Sequence, residues 1–90
     1  MIVRIMSEGQ FEVEGADLDA LRHVDEELLD AVRREDAEAF ARHLAEAVAV
    51  VRRGRPLPLD ALAESELVLP APDMTVHEAR RLFDEHKILF

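Results

Sequence analysis

The sequence predicts an α+β fold: an N-terminal β-hairpin packed on an antiparallel helical hairpin, then a proline-rich segment and a short C-terminal helix. Three observations carry this. "MIVRIMSEGQFEV" alternates apolar and polar residues about a turn-forming "SEG". Residues 18–51 repeat apolar side chains at helical spacing, interrupted only at Glu35-Asp36. Four prolines, at 56, 58, 70 and 72, exclude a continuous helix in the segment that follows. Ninety residues suit one domain, 1–90, because two would each fall below the usual size of an independent core.

The hairpin is read by register. A three-residue loop Ser7-Glu8-Gly9, with Gly9 at its left-handed position, pairs Met6 with Gln10, Ile5 with Phe11, Arg4 with Glu12 and Val3 with Val13. Val3, Ile5, Phe11 and Val13 then share one face, and Arg4 meets Glu12 on the other. A one-residue slip destroys both features. A two-stranded ribbon is marginal alone and presents two unpaired edges. Either "ELVL" (66–69) adds a third strand, or an edge pairs with another molecule.

The first helix is capped by Asp17 and buries Leu18, Leu21, Val24, Leu28 and Val32, with Leu29 widening the stripe. Asp36 caps the second, whose apolar positions are Ala37, Phe40, Ala41, Leu44, Ala47, Val48 and Val51. Arg33-Arg34 and Arg52-Arg53 complement the two C-terminal dipoles, and Gly54 occupies the position after the second helix. "DALAES" (60–65) can form a turn of helix. Thr75 and Glu78 form a capping box for a last helix using Val76, Ala79, Leu82 and Phe83, and the chain ends on apolar Ile88-Leu89-Phe90.

Eleven Lys and Arg against 20 Asp and Glu give a net charge of −9, a surface that repels phosphate backbones and anionic lipid headgroups. Neither nucleic acid nor direct membrane insertion is expected as a partner. No cysteine is present, which removes disulfides and thiolate chemistry. There is no basic and apolar leader pattern, and the longest apolar run, "AVAVV", is far too short for a membrane span. The expected compartment is the cytoplasm, with membrane proximity only through a partner.

Reaction chemistry is not apparent. "DEELLD" supplies adjacent carboxylates, but the helical pattern already accounts for them, and no nucleophile or phosphate loop accompanies them. His23, His43, His77 and His86 read as solvated helix-surface residues; "HEARR" has only the first half of a zinc-binding HExxH. Arg80-Arg81, inside the last helix, could instead offer a basic spot to an acidic partner segment. No catalytic residue, metal ligand or cofactor is assigned.

Two blocks, "MIVRIMSEGQFEVEGADLDALRHVDEEL" and "ELVLPAPDMTVHEARRLF", resemble the PspAA family, small PspA-associated domains encoded beside phage shock protein A. The most family-like parts are Ile2 to Val13 and Leu67 to Thr75, and the resemblance spans nearly the whole chain. It implies a setting: an accessory or regulatory partner of a membrane-remodelling coiled-coil protein that answers envelope stress. It implies no catalytic motif. The expected function is therefore a non-enzymatic interaction domain. Its candidate contacts are the hairpin edge (Ile2, Arg4, Met6, Glu12), Leu67 and Leu69, Arg80 and Arg81, and the tail Ile88, Leu89 and Phe90. Two other readings stay open: a small structural domain that dimerises through the hairpin edge, and a histidine-based metal- or ligand-binding regulator.

Overall fold

The alternation around "SEG" does form a hairpin, and that hairpin is the middle of a larger sheet. The computed structural model describes residues 1–61 and 63–86, with side chains through Phe83. Its elements are β1 (Ile2–Ile5), β2 (Gly9–Glu12), α1 (Gly15–Arg34), α2 (Ala37–Arg52), β3 (Arg55–Pro56), β4 (Leu67–Leu69) and α3 (Val76–His86). The sheet order is β3-β2-β1-β4. β4 runs parallel to β1, pairing Val3 with Leu67 and Ile5 with Leu69, and β3 is antiparallel to β2. "LVL" of the expected "ELVL" is thus a strand, and neither edge of the hairpin is open.

The hairpin register differs from the expected one by two residues. Ile2 faces Glu12, Val3 faces Phe11, Arg4 faces Gln10 and Ile5 faces Gly9. The loop is Met6-Ser7-Glu8, closed by a bond from the Glu8 amide to the Ile5 carbonyl (2.9 Å), and Ser7 takes the left-handed position at φ 78°. A two-residue slip leaves every side chain on its original face, so the apolar pattern cannot detect it. Val3, Ile5 and Val13 are buried and Phe11 packs partly against the core, as the face assignment requires. The Arg4–Glu12 pairing is lost.

The inner face of the sheet packs on the helices. α2 lies against β2 and β4, and α3 packs against both α1 and α2. The core joins Val3, Ile5, Val13 and Leu69 to Leu21, Leu28 and Val32 of α1, Phe40, Leu44 and Val51 of α2, and Val76 and Ala79 of α3. In α2, Ala37 and Ala41 are exposed, contrary to the expected stripe, while Ala39 and Val50 are buried. α1 starts two residues before Asp17, whose carboxylate receives Arg53 (3.0 Å) in place of capping. Asp36 caps α2 as expected, accepting from the Ala39 amide (3.0 Å). The capping box also forms: Glu78 donates its amide to the Thr75 hydroxyl (3.2 Å), and Thr75 donates its amide to the Glu78 carboxylate (3.1 Å). At Gly54, where the chain leaves α2 for β3, any Cβ would collide with the Glu12 carbonyl. Close approach to β2, not a left-handed backbone, makes glycine necessary there.

Because β3 and β4 lie on opposite sides of the hairpin, the chain between them, described at residues 57–61 and 63–66, crosses it. It passes over the outer face, since the helices fill the inner one. The Leu57 amide bonds the Gln10 carbonyl (2.9 Å) at one end and the Glu66 amide bonds the Ile2 carbonyl (2.8 Å) at the other. Between them, outward-facing Gln10, only 7% exposed, donates from Nε2 to the Ala63 carbonyl and the Ser65 hydroxyl, both at 2.8 Å. "DALAES" is not helical at any of its described residues.

Two outcomes are expected. Leu69→Ala should cost about 2–5 kcal/mol in chemical denaturation, as a buried leucine does. Val68→Ala, on the opposite face, should cost no more than about 1 kcal/mol; equal losses would refute the facing of β4. Gln10→Ala leaves the Ala63 carbonyl without its donor, and a loss of about 1–2 kcal/mol is expected. It should be accompanied by faster amide exchange at Leu57 and Glu66, and unchanged exchange there would show that Gln10 does not hold the crossing.

Candidate interaction surface

The outer face of the sheet collects side chains from all four strands. Strand alternation places Ile2, Arg4 and Met6 of the β1 region there, beside Gln10 and Glu12 of β2, Arg55 of β3 and Val68 of β4. Arg4 and Arg55 are exposed, and Ile2, Met6, Glu12 and Val68 are half-buried. Ala63 and Ser65 of the crossing cover Gln10 and leave the others accessible, and Leu59 of the same segment is 95% exposed. The result is a mixed patch of apolar side chains and both charges. Glu12 also lies 3.7 Å from the Met1 ammonium, which donates to the Val13 carbonyl (2.9 Å) and anchors the start of β1.

Four of the expected contact residues, Ile2, Arg4, Met6 and Glu12, therefore share one face, but as side chains above a sheet in which both hairpin edges are paired. The backbone edge expected of them is occupied: Met6 donates its amide to the Leu69 carbonyl (3.0 Å). Leu69 is fully buried and presents no contact surface, whereas Leu67 is half-buried against the core on the inner side of the sheet. Arg80 lies elsewhere, donating to the Arg33 carbonyl (3.2 Å) at the end of α1 and approaching Glu35 (3.8 Å). Arg81 lines a shallow depression of about 210 Å3 with Met74, Glu78 and Leu82. Ile88, Leu89 and Phe90 lie outside the described residues. Val68 and Arg55 escaped sequence reasoning for different reasons. Val68 is legible once "LVL" is accepted as a strand, whereas a two-residue strand ending in proline has no periodicity to betray it.

The helical arginines do more than offset dipoles. Arg52 reaches Glu8 in the hairpin loop through two hydrogen bonds, one of 2.9 Å from Nε, and these hold the Glu8 carboxyl below its usual range. Arg34 bonds Asp30 (2.8 Å) and Asp36 (3.3 Å). His23 and His77 are solvated, at 76% and 74% exposure, as expected. His43 is not: it is wedged at the α1–α2 contact with 13% of its side chain exposed, because helix pairing covers its flank of α2. Among the described residues, no three His, Asp or Glu side chains are arranged to hold a metal ion. Also among them, no helix is long and apolar enough to cross a membrane.

The model of the PspAA family, described as PspA-Associated protein, matches residues 1–89. The chain belongs to the PspAA family. The matched span takes in the hairpin, both long helices, the crossing segment and the capping box, so the four-stranded sheet lies wholly within this PspAA domain. No curated protein and no solved structure matches it.

One carboxylate of the PspAA domain is out of place energetically. Asp25 sits on α1 one turn from Leu21 and Leu29, and its Oδ1 is buried without a hydrogen-bond partner. Burial, with a smaller contribution from the negative charge of Glu26, pushes its carboxyl up from 3.8 to about 6. The folded chain thus holds this proton more tightly than the unfolded one. Its stabilising effect is complete below the unfolded value and declines as pH rises through about 6. Asp25→Asn should raise stability near neutrality by about 1 kcal/mol, the shift being discounted for partial exposure. It should also flatten the stability profile between about pH 4 and 7; a profile as steep as the parent's would show that Asp25 is not its source.

Proposed function

We propose that this PspAA domain is a non-enzymatic accessory protein that binds a PspA-like coiled-coil protein and modulates its assembly or its engagement with the membrane. The observation that carries the reading is the family match across residues 1–89. The mixed outer face of the sheet supports it as the docking surface: Ile2, Met6 and Val68 supply apolar contact area, and Arg4 and Arg55 supply charge. Because β3 and β4 occupy both edges of the hairpin, this reading rests on side-chain contacts and not on backbone pairing along the hairpin.

Co-purification of the two full-length proteins tests the proposal. A complex should form, and Arg4→Glu combined with Val68→Asp should weaken it at least tenfold while circular dichroism stays unchanged, about 1.4 kcal/mol of binding free energy. With both proteins folded, absence of any complex at tens of micromolar would sink the function. A complex indifferent to the double substitution would move the docking surface elsewhere.

A further inference from the structure

We propose that Leu59 is an anchor: a leucine knob, held out on a rigid turn, that seats in the apolar stripe of a partner helix flanked by basic side chains. The partner is the coiled-coil protein of the functional reading above, on which this assignment rests. Among the described residues, Leu59 is 95% exposed, whereas every other leucine, isoleucine, valine, methionine and phenylalanine with a described side chain is buried or half-buried. A lone exposed leucine is common on protein surfaces, so exposure alone carries little. What sets Leu59 apart is how firmly its backbone is fixed. Pro56 and Pro58 set the backbone angle φ on the approach. The Leu57 amide ties the base of the loop to the Gln10 carbonyl (2.9 Å). The Ala61 amide donates to the Pro58 carbonyl (3.0 Å), closing a turn with Leu59 at its first central position. Leu59 Cδ2 stands 4.0 Å from where a Cβ would project on Gly9, so the knob lies at the hairpin-loop end of β2, away from the core.

An apolar side chain displayed on a turn fixed in this way loses little further freedom when a partner buries it. Gly9 follows directly on the loop Met6-Ser7-Glu8, so the knob adjoins the Met6 end of the outer face, and one partner surface can span both. Asp60 and Glu64, beside Leu59 in the same segment, are exposed and give the knob an acidic rim. The helix that accepts it therefore offers two features. One is a hole framed by four apolar side chains at i, i+3, i+4 and i+7, the space a coiled-coil leucine fills. The other is lysine or arginine on its flank, to meet Asp60 and Glu64. A second copy of this chain is a poor occupant. The large apolar side chains of its long helices, Leu21, Leu28, Phe40 and Leu44, are turned into their own core, and exposed Ala37 and Ala41 of α2 are too small to frame such a hole.

The test is calorimetric titration of the full-length coiled-coil partner with the parent chain, Leu59→Ala, Leu59→Met and the double variant Asp60→Asn with Glu64→Gln. Leu59→Ala should weaken binding about tenfold or more, as loss of an anchor does. Leu59→Met keeps an apolar knob and should cost less than about threefold. Added salt should weaken the parent complex more than that of the double variant. Because Leu59 is almost wholly in solvent, Leu59→Ala should leave Tm within about 2 °C of the parent, which separates lost binding from lost folding. A complex as tight with Leu59→Ala as with the parent would overturn the anchor and leave the functional reading standing. No complex with the parent at tens of micromolar, both proteins being folded, would overturn both. A parent complex indifferent to salt would refute the basic flank. Light scattering of the chain alone covers the remaining case: self-association that Leu59→Ala abolishes would give the knob to a second copy and overturn the partner helix.

Discussion

The parallel pairing of β4 with β1 is the constraint on which the rest of this structure depends. Without it the β1 edge of the hairpin lies open and only the two-residue β3 supports the ribbon from the other side. With it, Leu69 enters the core beside Val3 and Ile5, and the chain after α2 is committed to crossing the outer face. It also sets where α3 begins, because only Pro70 to Thr75 separate the two elements. The pairing is short, and parallel ladders are slightly weaker per residue than antiparallel ones. Its support comes from outside the strand: the Glu66 and Met6 backbone bonds at its ends and the Gln10 side chain beneath the crossing.

Electrostatics divides the molecule into two unlike faces. On the sheet side, charges of both signs are interspersed with half-buried apolar residues, a composition suited to a protein partner. On the α1–α2 side, carboxylates dominate and His43 is set among them. The net charge of −9 describes neither face well. Much of the positive charge is spent on tertiary ties: Arg52 to the hairpin loop, Arg53 to the first turn of α1, Arg80 from α3 to the end of α1. An arginine at a helix terminus satisfies the dipole in any fold, so its distant partner cannot be inferred from position alone.

Local chemistry was legible. The Asp36 cap, the Thr75/Glu78 capping box, the α1 stripe through Leu21, Leu28 and Val32, and the in/out facing of the hairpin all depend on residues within about one turn or one pleat of each other. The family blocks were legible for the same reason, since they are contiguous. Features that compare distant segments were not. The hairpin slipped by two residues because period-2 patterning is blind to even shifts. Leu69 looked like a contact residue because an apolar side chain in "LVL" reads alike whether it faces a core or a partner. His43 looked solvated because its flank of α2 is covered only once α1 lies beside it.

The sequence by itself determined the α+β composition, the helix limits set by side-chain caps, the face that each hairpin residue presents and membership in the PspAA family. Tertiary structure alone decided the sheet order, the covering of both hairpin edges, the passage of Ala63 and Ser65 over Gln10, and the setting of His43 beside two carboxylates. The physical reason is range. Periodicity and capping are interactions between neighbours in the chain, whereas β3, β4 and the α1–α2 contact join residues far apart in sequence, whose meeting is chosen by the burial of the whole core.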